Sequence, residues 1–224
     1  MTKTNIATRI KKLINPKRIQ YRRLMKKGDP VAFTLPTGSI LYIYPSGQIA
    51  ELLYMMHFEY DLLSLVDRYL KKGMHVVDVG ANCGIYSILA AKNVTQKGKV
   101  WSFEPASDSM ARLKSNMSAN DLNNYVPEQA ALSYKTGGYL DLVNEDNQGD
   151  GYRYLTRAKG NMKEFTEHER VAVYSLDAYL KKANEVRVDF LKVDVEGGSM
   201  VSFVVQKGFL LRIKTLLYSL KVLL

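Results

Sequence analysis

The chain has 224 residues, with 32 Lys and Arg against 22 Asp and Glu, a formal net charge of +10. Hydrophobic residues at 46% and charged residues at 24% are ordinary globular proportions and exclude a wholly disordered chain. A single cysteine, Cys83, excludes an internal disulfide, and the three histidines have no metal-ligand spacing, so the expectation is a cytoplasmic protein without a metal.

The excess charge is local. Residues 1–28 carry ten basic side chains and no acid, leaving 22 basic against 22 acidic residues in the rest. After Glu196 there is again no acid, only Lys207, Arg212, Lys214 and Lys221, so residues 29–196 are net negative by 4. Within the basic end, Ile6, Ile10, Leu13 and Ile14 mark one face of a short helix that Pro16 is expected to stop. That pattern fits a solvated extension packed on the domain, with a weak membrane-surface helix or an Arg-rich targeting peptide as the alternatives. Nucleic acid is not expected as a partner, because the body of the protein is slightly acidic. No secretory signal follows the basic end, and the apolar stretches at 49–66 and 208–224 carry too many charges for membrane spans.

Residues 31–44 read as two short strands around Pro36-Thr37-Gly38. A helical pattern follows over 49–72, with Leu52, Leu53, Met56, Tyr60, Leu63, Val66 and Leu70 recurring at three- and four-residue steps before Gly73. Then the rhythm alternates. Strands are expected at 76–79, 100–103, 125–132 and 190–195, and helices at 84–93 and 106–120, the pattern of a mostly parallel sheet covered on both faces. An insertion interrupts it: 138–143 and 170–174 are expected to pair as antiparallel strands, with the polar stretch 144–160 as a loop. This divides the chain into a basic extension (1–28), strands and a helix packing on the core (29–73), and the main domain (74–224).

Three segments carry chemistry. In HVVDVGANCGIYS (75–87), a buried strand delivers Asp78 and Gly80 to a tight turn, and a helix opens near Gly84. Gly, then Asn, tolerates the positive φ such a loop needs, so Asp78-x-Gly80-x-Asn82-x-Gly84 describes a ligand loop at a sheet edge. It fits the dinucleotide fingerprint poorly and suits S-adenosylmethionine (SAM) better. Next, Glu104 in KVWSFEP (99–105) closes the following strand, where an acid accepts hydrogen bonds from both ribose hydroxyls. Finally, DFLKVDVEGG (189–198) ends an apolar strand on Asp194 and Glu196. Asp194 is placed to hold the SAM ammonium or to act as general base; Glu196 is either a helix-terminal acid or a second group in that turn.

Together these segments resemble the FkbM family of SAM-dependent methyltransferases. VVDVGANCGIYS is similar to its glycine loop, WSFEPAS to its second-strand acid, SLDAYL to its lead-in to the fourth strand and FLKVDVEGG to its fourth-strand motif, over about 70–198. The resemblance implies a Rossmann-like class I α/β fold with SAM over the first two strands. It also implies O-methylation of a hydroxyl on a sugar, glycolipid or small metabolite. Asp78, Gly80, Ala81, Asn82 and Gly84 would then bind the methionine end of SAM, Glu104 the ribose, and Gln129 and Ala130 the adenine. Asp194 would face the reaction centre, with Glu196 as a second catalytic candidate from its place in the sequence. An RNA methyltransferase and an inactive remnant or scaffold are the competing functions. After Gly198 the likeness stops: Ser199 stands where the family has an acid, and only 30 residues follow Asp194. The expectation is a truncated or frameshifted end that lacks the last strands, with one helix at 200–206 and one strand at 215–220.

Overall fold

The structure, a computed structural model, describes residues 16–26, 29–35, 37–44, 47–55, 59–133, 136–144, 153–156, 167–185, 187–194 and 216–218. The expected helix at 6–14, Glu196, the Gly-Gly turn and the expected helix at 200–206 lie outside these residues.

The central sheet is built from β3 (His75–Val79), β4 (Lys99–Phe103), β5 (Tyr125–Glu128), β10 (Phe190–Val193) and β11 (Leu216–Tyr218). Its order is β11-β10-β3-β4-β5, and every neighbouring pair is parallel. The chain runs from β3 outward to β5 and later returns on the other side of β3. That reversal opens a crevice at the carboxyl ends of β3, β4 and β10, where open α/β sheets bind ligands.

Parallel strands covered on both faces must be apolar at nearly every position, and these are. Val76, Val100 and Phe190 point into one core, shared with α4 (Ile85–Val94) and α5 (Ser107–Ser118). Val77, Val79, Trp101, Phe103, Leu191 and Val193 point into the other, closed by Leu176 and Leu180 of α6 (Leu176–Lys182). α4 is buried on almost every side because a further layer lies over it. Leu63, Val66 and Leu70, from α3 (Tyr60–Tyr69) and its end, belong to that layer. So do Leu41 and Ile43 of the antiparallel hairpin β1 (Val31–Thr34) and β2 (Ile40–Ile43).

The hairpin is fastened by two asparagines four residues apart, Asn116 on α5 and Asn120 in the turn that follows it. Asn116 Oδ1 accepts the Tyr42 N–H at 2.7 Å, and its Nδ2 donates to Cys83 O at 2.9 Å in the glycine loop. Asn120 Oδ1 accepts the Ile40 N–H at 2.7 Å, and its Nδ2 donates back to Ile40 O at 2.6 Å. The two amides meet alternate residues of β2, Ile40 and Tyr42, and so stand in for a neighbouring strand. They satisfy an edge that would otherwise be open to pairing.

Several sequence expectations are corrected. The helix expected over 49–72 is two helices, α2 (Gly47–Tyr54) and α3. Between them Glu59 has φ 38°, a left-handed conformation that an α-helix cannot continue through. Pro16 stands at the head of a helix that was not expected, α1 (Pro16–Met25), in the first-turn position where its missing N–H costs nothing; the helix expected before it lies outside the described residues. The strand expected over 125–132 divides into β5 and β6 (Ala131–Leu132), because the chain turns at Gln129 and Ala130 and leaves the central sheet. β6 joins β7 (Tyr139–Asn144), β8 (Arg153–Thr156) and β9 (Glu167–Tyr174) in a second sheet of order β6-β9-β7-β8. The expected β7–β9 antiparallel pairing is present, but β8 lies within the segment read as a loop. Beyond β10, β11 takes the place beside it, within the strand expected at 215–220.

Candidate active site

β3 ends on a chain that must turn sharply beneath whatever sits on the sheet edge. Gly80, Asn82 and Gly84 all have positive φ, at 71°, 49° and 94°. Asn82 stabilises its own turn by accepting the Cys83 N–H on Oδ1 at 2.7 Å. Gly84 caps α4, and a Cβ there would lie 3.1 Å from Leu113 Cγ, so the loop is pressed against α5. The Gly80 and Ala81 N–H groups both donate to Phe103 O, at 2.9 and 3.0 Å, tying the loop to the end of β4.

Glu104 sits where that strand stops. Its two oxygens accept different backbone amides: Oε2 takes the Asn82 N–H at 2.8 Å and Oε1 the Ala106 N–H at 2.9 Å. Each carboxylate oxygen keeps a second lone pair, so the group still has acceptor capacity for a diol. Burial pushes its carboxyl up to about 7, against the pull of the two amide hydrogen bonds and of Lys192. Cys83, in the same loop, is held as an unreactive thiol, since burial pushes it up to about 11.

Asp78 lies under the loop. The carboxylate is 1% exposed, accepts the Ser87 hydroxyl on Oδ2 at 2.7 Å and has Lys192 Nζ 3.0 Å from Oδ1. The register explains this: Lys192, Asp78 and Ser102 are direct neighbours across three strands and point to the same face, toward Ser87 on α4. With Ser87 committed to Asp78, Ser102 supplies the proton for the 2.7 Å contact between the two serines. Asp194 follows β10 by one residue, donates its N–H to Val79 O at 3.0 Å and stands beside Gly80 with its carboxylate 3.8 Å from Lys192 Nζ.

The structure thus brings Gly80, Ala81, Asn82, Gly84, Glu104 and Asp194 to one crevice. Gln129 and Ala130 follow β5 at its rim; Ala130 is buried and Gln129 donates to Glu169 Oε1 at 2.6 Å. Four contributors escaped the sequence reading. Lys192 is a lone cation inside an apolar strand, the one signal sequence offers for it; that it faces Asp78 follows only from the register. Tyr86 donates its hydroxyl to Glu59 Oε2 at 2.7 Å and lies against Lys192, with Nζ 4.9 Å from the ring centroid. Burial, then the Glu59 hydrogen bond, raises the Tyr86 phenol and keeps it protonated. Ser87 is the buried hydroxyl on Asp78. Glu169, whose Oε2 also accepts the Ser107 N–H at 3.0 Å, comes from the inserted sheet, and no local pattern announces it.

A glycine-rich strand-to-helix turn, an acid at the end of the next strand and a further acid on the strand across the reversal define a Rossmann-like nucleoside-binding domain. The crevice offers a buried carboxylate, Glu104, beside the loop backbone, with Asp194 at its edge. Residues 78–200 match the methyltransferase FkbM domain, more than half of the chain. The chain belongs to the FkbM methyltransferase family, a class of SAM-dependent enzymes.

No curated protein matches the chain in sequence. Among solved structures it is similar to a SAM-dependent methyltransferase from Aquifex aeolicus, at 26% identity over 33% of this chain and 38% of that one, with a TM-score of 0.28. A SAM-dependent O-methyltransferase from Thermotoga maritima matches at 20% identity over 48% and 43%, with a TM-score of 0.29. An O-methyltransferase from Bacillus cereus in complex with SAH matches at 14% identity over 85% and 60%, with a TM-score of 0.32. The chain spans about two fifths of the length of the first two of these structures. At such TM-scores the family match, and not these structures, assigns the class.

Proposed function

We propose that this domain binds SAM at the carboxyl ends of β3 and β4 and methylates a hydroxyl on a sugar, glycolipid or small metabolite in the cytoplasm. The observation that supports it best is Glu104, a buried carboxylate already aimed by two backbone amides at the end of β4. When bound, SAM supplies a methyl group activated by its sulfonium, so the chemistry resides in the cofactor and the protein positions the acceptor. Glu104 takes the ribose hydroxyls, and the loop 80–84 takes the methionine end. Gln129 and Ala130 border the adenine. Holding an acceptor oxygen in line is worth about 7–11 kcal/mol when well aligned. Asp194, at the open edge beside the loop, takes the proton that a neutral hydroxyl must lose; Glu196, two residues later in the sequence, is the second candidate.

Isothermal titration of the full chain with SAM and its demethylated product tests this reading. Micromolar binding of both is expected; none at millimolar concentration leaves an inactive remnant or scaffold. Methyl transfer to RNA but to no hydroxylated small molecule moves the reading to an RNA methyltransferase. The net-negative body argues against that outcome.

The basic end has its own support for contact with an anionic membrane surface. On α1, Tyr21 packs inward on Tyr54, while Ile19, Arg22, Arg23 and Lys26 stand exposed. Among the described residues no helix is long and apolar enough to cross a membrane. Anionic vesicles are expected to retain the chain at low salt and release it at high salt. Equal retention by neutral vesicles sinks the idea.

A further inference from the structure

β10 carries one cation, Lys192, within the apolar run Phe190–Val193, and the methyl-transfer reading above gives it no task. It is 3% exposed, and bringing an ammonium ion so far from water costs several kcal/mol unless partners repay it. The register partner Asp78 repays it, at 3.0 Å. A pair whose only purpose was mutual neutralisation would end there. This ammonium goes further. It donates to Gly80 O at 3.0 Å, lies 3.8 Å from Asp194 Oδ2 and has the Tyr86 ring packed over it at 4.9 Å. Gly80 opens the ligand loop in a left-handed conformation, and Asp194 ends the strand across from it. One buried cation therefore holds the first carbonyl of the loop and the acid at the reaction edge in a single frame.

We propose that Lys192 is a positioning residue of the methyl-transfer site: its ammonium fixes the Gly80 carbonyl and the Asp194 carboxylate relative to each other. The proposal rests on the SAM reading. Asp78 is the counter-charge that lets the lysine sit there, and Tyr86, tethered to Glu59, closes the space above it. Two carboxylates around one ammonium leave the site locally anionic, which suits the cationic donor.

The test separates positioning from mere charge balance. Lys192→Met alone strands Asp78, so the informative variant is Asp78→Asn with Lys192→Met, which removes both charges and leaves no unpaired ion in the core. It is expected to unfold cooperatively like the wild type, to weaken SAM binding about tenfold or more, and to raise deuterium uptake across loop 80–84. Asp78→Asn alone leaves the lysine its contacts to Gly80 and Asp194 and is expected to lose clearly less affinity and less loop protection than the double variant. The proposal is overturned by wild-type affinity in the double variant, by unchanged loop exchange, or by an equal loss in Asp78→Asn. On the wild-type chain, the side-chain nitrogen resonance of Lys192 is expected to move during SAM titration, whatever the variants do. A resonance that stays fixed while SAM binds also overturns the proposal. A wild-type chain that binds no SAM defeats the functional reading instead, and loop exchange in the free double variant still judges the lysine.

Discussion

Glu104→Gln is expected to raise the SAM dissociation constant about a hundredfold, because a charged acceptor shared by two hydroxyls is replaced by a neutral amide. The amide can satisfy one of the two backbone N–H groups that the carboxylate now holds. Its NH2 then faces the other, donor against donor. The loss thus has two parts, the missing ribose contact and a loop no longer fastened at Asn82. Titration calorimetry reads the sum, and a change of less than about threefold removes Glu104 from the site.

The same side chain makes a signed prediction about pH. Its carboxyl moves from 4.5 to about 7 on folding, chiefly through desolvation. Folded protein then holds more protons than unfolded protein between these values, so stability must fall as pH rises through that window and level off above it. The loss between about pH 5 and pH 8 is of order 2 kcal/mol. Glu104→Gln cannot titrate and is expected to lack this component, so its stability relative to wild type improves with pH in urea unfolding curves. Hydroxyl donors favour the ionised carboxylate, so SAM affinity is expected to rise toward about pH 7 and flatten beyond it.

These expectations rest on a site whose parts differed in legibility. The glycine loop and Glu104 could be read from sequence because their requirements are local. A positive φ selects Gly or Asn, and an acid at a strand end needs only its own strand. The parallel strands were legible for a similar reason, since burial on both faces forces apolar runs. Lys192, Tyr86 and Glu169 were not. Their roles come from register and packing: Lys192 meets Asp78 only because β10 pairs with β3 at that offset. Glu169 reaches Gln129 only because the inserted sheet folds back over the end of β5. The division of the long helix was equally hidden. Glu59 turns left-handed with neither Gly nor Pro to announce it, and the hydrogen bond from Tyr86 helps to hold it. Net charge misled in a different way, since a total of +10 concealed a body of net −4 on which the motifs lie.

Asp194→Asn is expected to lower kcat about 10²–10⁴-fold, the range that a positioned base contributes, while SAM affinity stays within about threefold. The argument begins with place. Asp194 follows β10 and is held by its own N–H on Val79 O, so its carboxylate stands at the open edge beside Gly80. Unlike Asp78, which is 1% exposed and committed to Ser87 and Lys192, the Asp194 side chain retains 13% exposure, and Lys192 lies farther away, at 3.8 Å. A base must be reached by the acceptor, and of the two acids flanking this lysine only Asp194 meets that condition. The asparagine keeps size and polarity but accepts no proton, so a neutral hydroxyl attacks without its proton being taken. Measurement needs an acceptor, found by transfer of labelled methyl to a panel of sugars, glycolipids and small hydroxylated metabolites. Single-turnover rates then separate chemistry from product release. The opposite result, affinity lost about tenfold or more with kcat preserved, assigns Asp194 to the SAM ammonium and leaves proton removal to solvent or to Glu196.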